Sequence, residues 1–190
     1  MWKACGDLRL PAAHYPNLQA AIAFGISEVN ANGIGQMYTE YGDWCPPPAV
    51  PGGGQGPKPP GSLVSSAAFL TDMSRAIEIA TALGHTADAA SWSATLATFT
   101  AGFNTAFYNA ASASYGNANG AGLQTANAAA LDIGLVPAGN VDAVASSLAN
   151  DLAVAHGGHW GTGIFGMKHL HRALTANGYG QAAVDNLLVV

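Results

Sequence analysis

The apolar residues of this chain recur with the period of an α-helix almost from one end to the other, and that periodicity restricts the fold to packed helices. Between Pro16 and Asn30, the side chains Leu18, Ala21, Ile22, Ile26 and Val29 follow the i, i+3, i+4 spacing of one buried face. From Ser62 to Leu83, Val64, Ala67, Ala68, Leu70, Met73, Ile77 and Ala80 share a side, and Gly84 stands where a left-handed residue ends a helix. Thr86 opens a further helix with Asp88 in its first turn, and Trp92, Leu96, Phe99, Phe103 and Phe107 carry it to about Tyr108. Shorter helices are predicted over 125–134, closed by Gly134 and Pro137, then over 141–155, and over 163–176 with Gly178 behind. A last one begins near Gln181 and is still apolar at Val190, which suggests truncation. No alternating Val/Ile/Thr run exceeds about four residues. The expected fold is all-α, made of antiparallel helical hairpins with short connections.

One segment breaks the pattern. Residues 45–61 hold seven prolines and five glycines, so they cannot be helical: proline lacks the amide donor and glycine has no preference for the conformation. Such a stretch is either a flexible linker or a long loop inside a compact helical domain, and loops of the second kind are more often functional than idle.

The segment follows Tyr41-Gly42-Asp43-Trp44, and this decides between the two in favour of a functional loop. A carboxylate beside an indole suits sugar binding, because the carboxylate accepts hydrogen bonds from adjacent hydroxyls and the indole packs on the apolar C–H face of a pyranose. Taken alone, Gly-Asp-Trp also fits a helix-capping Asp beside a core Trp. A second cluster runs from His156 to Gly166 and opens a helix, where glycines admit a ligand close to exposed amides. His159 and Trp160 are its candidate sugar contacts. His156 and His159 raise a zinc reading, but no third ligand lies at suitable spacing, and no Gly-Lys-Ser/Thr of a phosphate loop follows the glycines. Gln124 and Asn127 lie one helical turn apart, and capping and packing is their plainer role.

Composition narrows the partners. Only 9% of the residues are charged against roughly 25% in an average soluble domain, as expected for a segment whose faces a larger domain covers. The net charge is −5 and the six Lys and Arg form no cluster, which argues against nucleic acid and an anionic membrane surface. No apolar run reaches the roughly 20 residues of a membrane span, and the first residues lack the pattern of a secretory leader. Cys5 and Cys45 flank segments assigned to the same rim, so a bridge between them is possible, although two separate thiols is the plainer reading.

Three separated motifs together resemble the catalytic domain of bacterial-type α-L-rhamnosidases. They are Cys5-Gly6-Asp7-Leu8-Arg9-Leu10 with His14-Tyr15-Pro16 leading to Tyr41-Gly42-Asp43-Trp44, Gln124-Thr125-Ala126-Asn127-Ala128 with Gly134-Leu135-Val136-Pro137, and Gly158-His159 through Thr162-Gly163-Ile164-Phe165-Gly166. The resemblance implies a partial (α/α)6 barrel, with residues 1–190 forming an incomplete central part of that domain. It also implies hydrolysis of terminal α-linked L-rhamnose with inversion, by an acid and a base on opposite faces of the sugar. On that basis Asp43, Trp44, His159 and Trp160 would bind substrate, with no cofactor and no metal. The chain departs from the family pattern in three ways. The family's general acid lies in an Asp-Glu-Arg passage followed by Trp-Thr-Gly-Asp, and its base in a later Trp-Glu motif; neither is present, and position 161 is Gly where many relatives have a polar residue. Glu28, Glu78 and Asp88 fall in scaffold helices and Glu40 in a loop, so no catalytic residue is assigned. The chain is expected to carry sugar-binding rim and scaffold, to need the missing parts of its own barrel as partners, and to associate when alone. Another (α/α)6 glycosidase of different sugar specificity, or a non-catalytic helical carbohydrate-binding or interaction module, remain as alternatives.

Overall fold

The computed structural model describes residues 5–37, 39–48, 56–116 and 122–188. Helix α1 spans Arg9–Ala13 and α2 Tyr15–Ser27, where Pro16 sits in the first turn, a position that needs no amide donor. Helices α3 (Gly61–Leu83) and α4 (Thr86–Phe107) form a hairpin, α3 ending on Gly84 at φ 80°. Helix α5 is Leu123–Asp132 and α6 Val141–Asn150, continued by a π-helical turn over Asp151–Ala155. Helices α7 (Ile164–Ala176) and α8 (Gly180–Leu188) close the order. The periodicity reading holds for the long helices to within three residues, the largest difference being the end of α2 at Ser27 rather than Asn30. It missed α1 and a two-residue antiparallel ladder between β1 (Tyr108–Asn109) and β2 (Ser114–Tyr115), both too short to carry a repeating signal.

Helix α5 is buried on seven of its residues, from Gln124 to Ala130. A helix covered all round must lie inside the helix layer rather than on its surface. It packs against α7, against α6 and against α3, and its alanines allow the close approach. Leu63, Ala67 and Phe103 between α3 and α4, and Leu148, Leu170 and Leu174 between α6 and α7, fill the space on either side. A third cluster, Tyr15, Ile22, Met73 and Trp92, fastens α2 to the α3–α4 hairpin. There Tyr15 donates its hydroxyl to Asp88 at 2.7 Å and stacks on His85 at 3.9 Å between ring centroids.

Large apolar side chains that remain exposed gather on the first and last elements and the loops. Leu10 and Phe24 lie on α1 and α2, Ile164 and Met167 on α7, Val184, Leu187 and Leu188 on α8, and Val154 on the π-helical turn after α6, whereas α3 to α6 themselves carry none among the described residues. No helix among the described residues is long and apolar enough to cross a membrane.

At the end of α5, Asp132 accepts from two residues of α7: His169 Nδ1 lies 2.7 Å from one oxygen and Arg172 Nε 3.1 Å from the other. His169 is buried and its Nε2 has no hydrogen-bond partner among the described residues. Burial lowers the His169 pKa from 6.5, and the bond to Asp132 opposes that shift only in part. Because the folded pKa is depressed, this histidine contributes stability at neutral pH that is lost as pH falls through its folded pKa. Unfolding free energy measured in denaturant should therefore fall between about pH 7.5 and about pH 5 by more in the wild type than in His169→Asn. Parallel profiles would remove His169 from the acid sensitivity.

Candidate functional site

Three helices begin at one end of the molecule, around residues 39–44. Gly61 opens α3 so close to Thr39 that a Cβ there would overlap the Thr39 carbonyl, and Gly122, the residue before α5, lies as tightly against Pro59. Helix α7 begins beside Asp43. Its own N-cap is Gly163, which has no side chain to satisfy the free amides of the first turn. Asp43 supplies the acceptors from across the chain: Oδ2 takes the N–H of Gly163 at 2.7 Å, and Oδ1 takes those of Phe165 at 2.9 Å and Gly166 at 3.2 Å. The hydroxyl of Thr125, in the first turn of α5, also donates to Asp43 Oδ2. A carboxylate at a helix N-terminus is further favoured by the helix dipole. Asp43 thus joins the starts of α5 and α7, and the contacts of Asp132, at the end of α5, with His169 and Arg172 further along α7 show that the two helices run in the same direction.

This changes the role expected of Asp43. The residue is 0% exposed and both oxygens are engaged by protein donors, so the carboxylate does not face a ligand. Of the two readings of Gly-Asp-Trp, the capping one describes Asp43, and the core one fails for Trp44. Trp44 is 49% exposed, with its ring centroid 6.3 Å from that of exposed Tyr41. The backbone makes the reversal possible, since Gly42 and Cys45 on either side of the pair are both left-handed, at φ 58° and 55°. The carbonyl of Trp44 accepts the N–H of Ile164 at 2.8 Å, so this tryptophan is held on a pinned backbone.

His159 and Trp160 both lie exposed in the loop before α7, the indole at 39%. The loop reaches the same clamp through Gly163, so the structure brings Trp44, His159 and Trp160 to one end of the helix layer. Gln124 and Asn127 are buried. Gln124 Oε1 accepts from the Gly161 N–H at 2.7 Å, and Asn127 Oδ1 from the Tyr115 N–H at 2.7 Å. Beside Tyr41 and Gly42 a depression of about 260 Å³ is lined by Val64, Ala68, Phe69 and Asp72. Desolvation raises the Asp72 pKa above 3.8, against the pull of Lys168. Sequence reasoning passed over Tyr41, Asp72 and Thr125 as site residues, because none stands out from its neighbours until the helix starts are brought together. Among the described residues no group of three His, Cys, Asp or Glu is placed to hold a metal ion.

Comparison with known proteins bears on the family and the fold. The family described as the bacterial alpha-L-rhamnosidase 6 hairpin glycosidase domain matches residues 1–189. The structure of an alpha-L-rhamnosidase from Dictyoglumus thermophilum superposes with a TM-score of 0.81 at 29% identity, over 95% of this chain and 20% of that one. The Streptomyces avermitilis alpha-L-rhamnosidase, solved in complex with L-rhamnose, gives 0.77 at 25% identity over 95% of this chain and 16% of its own. A rhamnosidase from Aspergillus terreus shares the fold, with a TM-score of 0.74 at 22% identity, over 96% of this chain and 20% of its own. The chain thus spans about a fifth or less of the length of these enzymes. No curated protein matches it.

Proposed function

Since the chain belongs to the bacterial α-L-rhamnosidase six-hairpin glycosidase domain family, we propose that it forms part of the sugar-binding rim and scaffold of an enzyme that hydrolyses terminal α-linked L-rhamnose with inversion. Trp44 is the platform for the apolar face of the sugar, and His159 and Trp160 contact it from the loop before α7. Asp43 holds that rim in place without touching substrate. The observation that carries this reading is the half-exposed indole of Trp44 on a backbone fixed by a fully buried carboxylate, at the end where three helices begin. An aromatic face held rigid before the ligand arrives loses little entropy on binding. The relative solved with L-rhamnose supports the choice of sugar.

Inverting hydrolysis needs an acid and a base flanking the glycosidic bond, with room for a water between one of them and the sugar. Neither family motif that carries these groups lies in this chain. The reaction is therefore assigned to the assembled barrel, and the apolar side chains left exposed on α1, α2, α7 and α8 suit further hairpins of the same ring. Titration of the chain with L-rhamnose, followed by tryptophan fluorescence, tests the reading, and a panel of other monosaccharides tests the specificity. Trp44→Ala should weaken rhamnose binding by roughly 1–3 kcal/mol, the scale of one lost apolar contact. Equal affinity in wild type and variant would remove Trp44 from the sugar site, and rhamnoside hydrolysis by the 190-residue chain would overturn the assignment of chemistry to the assembled barrel.

A further inference from the structure

The loop carrying His159 and Trp160 has neither helix nor strand between Gly157 and Gly163. Turn bonds from Gly158 N–H to the Leu152 carbonyl and from His159 N–H to the His156 carbonyl fix its start, and Asp43 fixes its end at Gly163. Between these anchors two buried carboxamides hold its backbone. Asn186 of α8 is 1% exposed; its Nδ2 donates to the Gly158 carbonyl at 2.5 Å, and its Oδ1 lies 3.1 Å from Nε2 of His171 on α7. With Nδ2 committed to a carbonyl, Oδ1 is an acceptor, which places a proton on His171 Nε2. On the opposite side Gln124 of α5, 2% exposed, accepts the Gly161 N–H at 2.7 Å and directs Nε2 at the His159 carbonyl, 3.5 Å away. The peptide groups of residues 158, 159 and 161 are thus held from two helices.

Burying an amide costs free energy unless its groups are paired, and a fully paired one fixes a single geometry. Asn186 stands between Asp185 and Leu187 in a short helix, where an apolar residue would satisfy packing alone. Its carboxamide donates to a carbonyl and accepts from an imidazole N–H together, which no apolar residue can do. We infer that Asn186, seconded by Gln124, is a positioning residue that sets where His159 and Trp160 meet the sugar, so that α8, which carries no rim residue, governs recognition. The functional half of this inference rests on the rhamnose reading above; the structural half rests on hydrogen bonds alone.

Asn186→Asp tests it. The carboxylate keeps the acceptor for His171 but turns a lone pair toward the Gly158 carbonyl. Hydrogen exchange read by mass spectrometry should rise in the peptide covering 156–163 while that covering 86–107 is unchanged. L-rhamnose affinity should drop about tenfold, the scale expected when a contact group is displaced by a fraction of an ångström. Unchanged exchange in 156–163 overturns the inference, as does loosened exchange with full affinity in a chain where Trp160→Ala still weakens binding. Should Asn186→Asp unfold the chain throughout, Gln124→Met, which removes both bonds from the other side, takes the same two measurements, and the same outcomes support or overturn the inference. If the wild-type chain does not bind L-rhamnose, the sugar reading fails, and the exchange arm by itself decides the positioning.

Discussion

Replacing Asp43 by alanine is expected to destabilise the fold by about 3–5 kcal/mol, because several buried donors lose their charged acceptor at once. The N–H groups of Gly163, Phe165 and Gly166 and the Thr125 hydroxyl would all lose their acceptor in a place water does not reach. Each buried donor left unpaired costs about 1–3 kcal/mol, less whatever the loop recovers by opening to solvent. Native domains are stable by only about 5–15 kcal/mol, so the variant should sit near the threshold of folding. Asp43→Asn keeps the volume but turns an NH2 toward backbone donors and removes the charge at the start of α7; it should cost about 2–3 kcal/mol. Denaturant unfolding of the three chains gives the order. If Asp43→Asn unfolds at the wild-type midpoint, the carboxylate is not what joins α5 to α7.

Gly163→Ala should be nearly as damaging for a different reason. Gly163 has φ −84° and ψ −164°, extended backbone that any residue adopts, so no conformational strain arises. The obstacle is space: an added Cβ would run into the Trp44 carbonyl oxygen and stand 2.6 Å from Asp43 Oδ1. Relief requires the rim to move away from α7, which stretches the Ile164–Trp44 and Gly163–Asp43 hydrogen bonds together. Overpacking costs about 1–3 kcal/mol, and the loosened bonds should bring the total to about 2–4 kcal/mol. Gly139→Ala is the control, because a Cβ there meets nothing within 4 Å. Equal unfolding midpoints for the two alanine variants would show that the rim yields freely. In a double-mutant cycle, the Gly163→Ala and Asp43→Ala losses should fall short of additive, since both break the same joint.

The candidate site was legible in the sequence only in part. Trp44 and Trp160 stood out because large aromatic residues beside glycines in loops have few structural reasons to be there, and both are exposed in the fold. Asp43 stood out equally and turned inward. A carboxylate between Gly42 and Trp44 looks the same whether it meets a hydroxyl of a sugar or the amides of a helix more than a hundred residues away. Gln124 drew notice only as a helix-start residue, and Asn186 drew none, because one amide among the mixed polar and apolar residues of a short helix carries no pattern.

The sequence by itself determined the longer helices, most of their ends and the family. Helical periodicity, glycine stops and proline positions are local, set by the geometry of a few neighbouring residues, and they survive in any context. What only the tertiary structure decided is which way the polar groups face. Asp43 accepts from Gly163, Phe165 and Gly166, and Asn186 from His171, because those donors have no partner within their own segment and the packing of α5, α7 and α8 brings the acceptors to them. Hydrogen-bond partners at that sequence distance are fixed by how the helices stack, so the division between frame and rim emerges only once the helix starts converge.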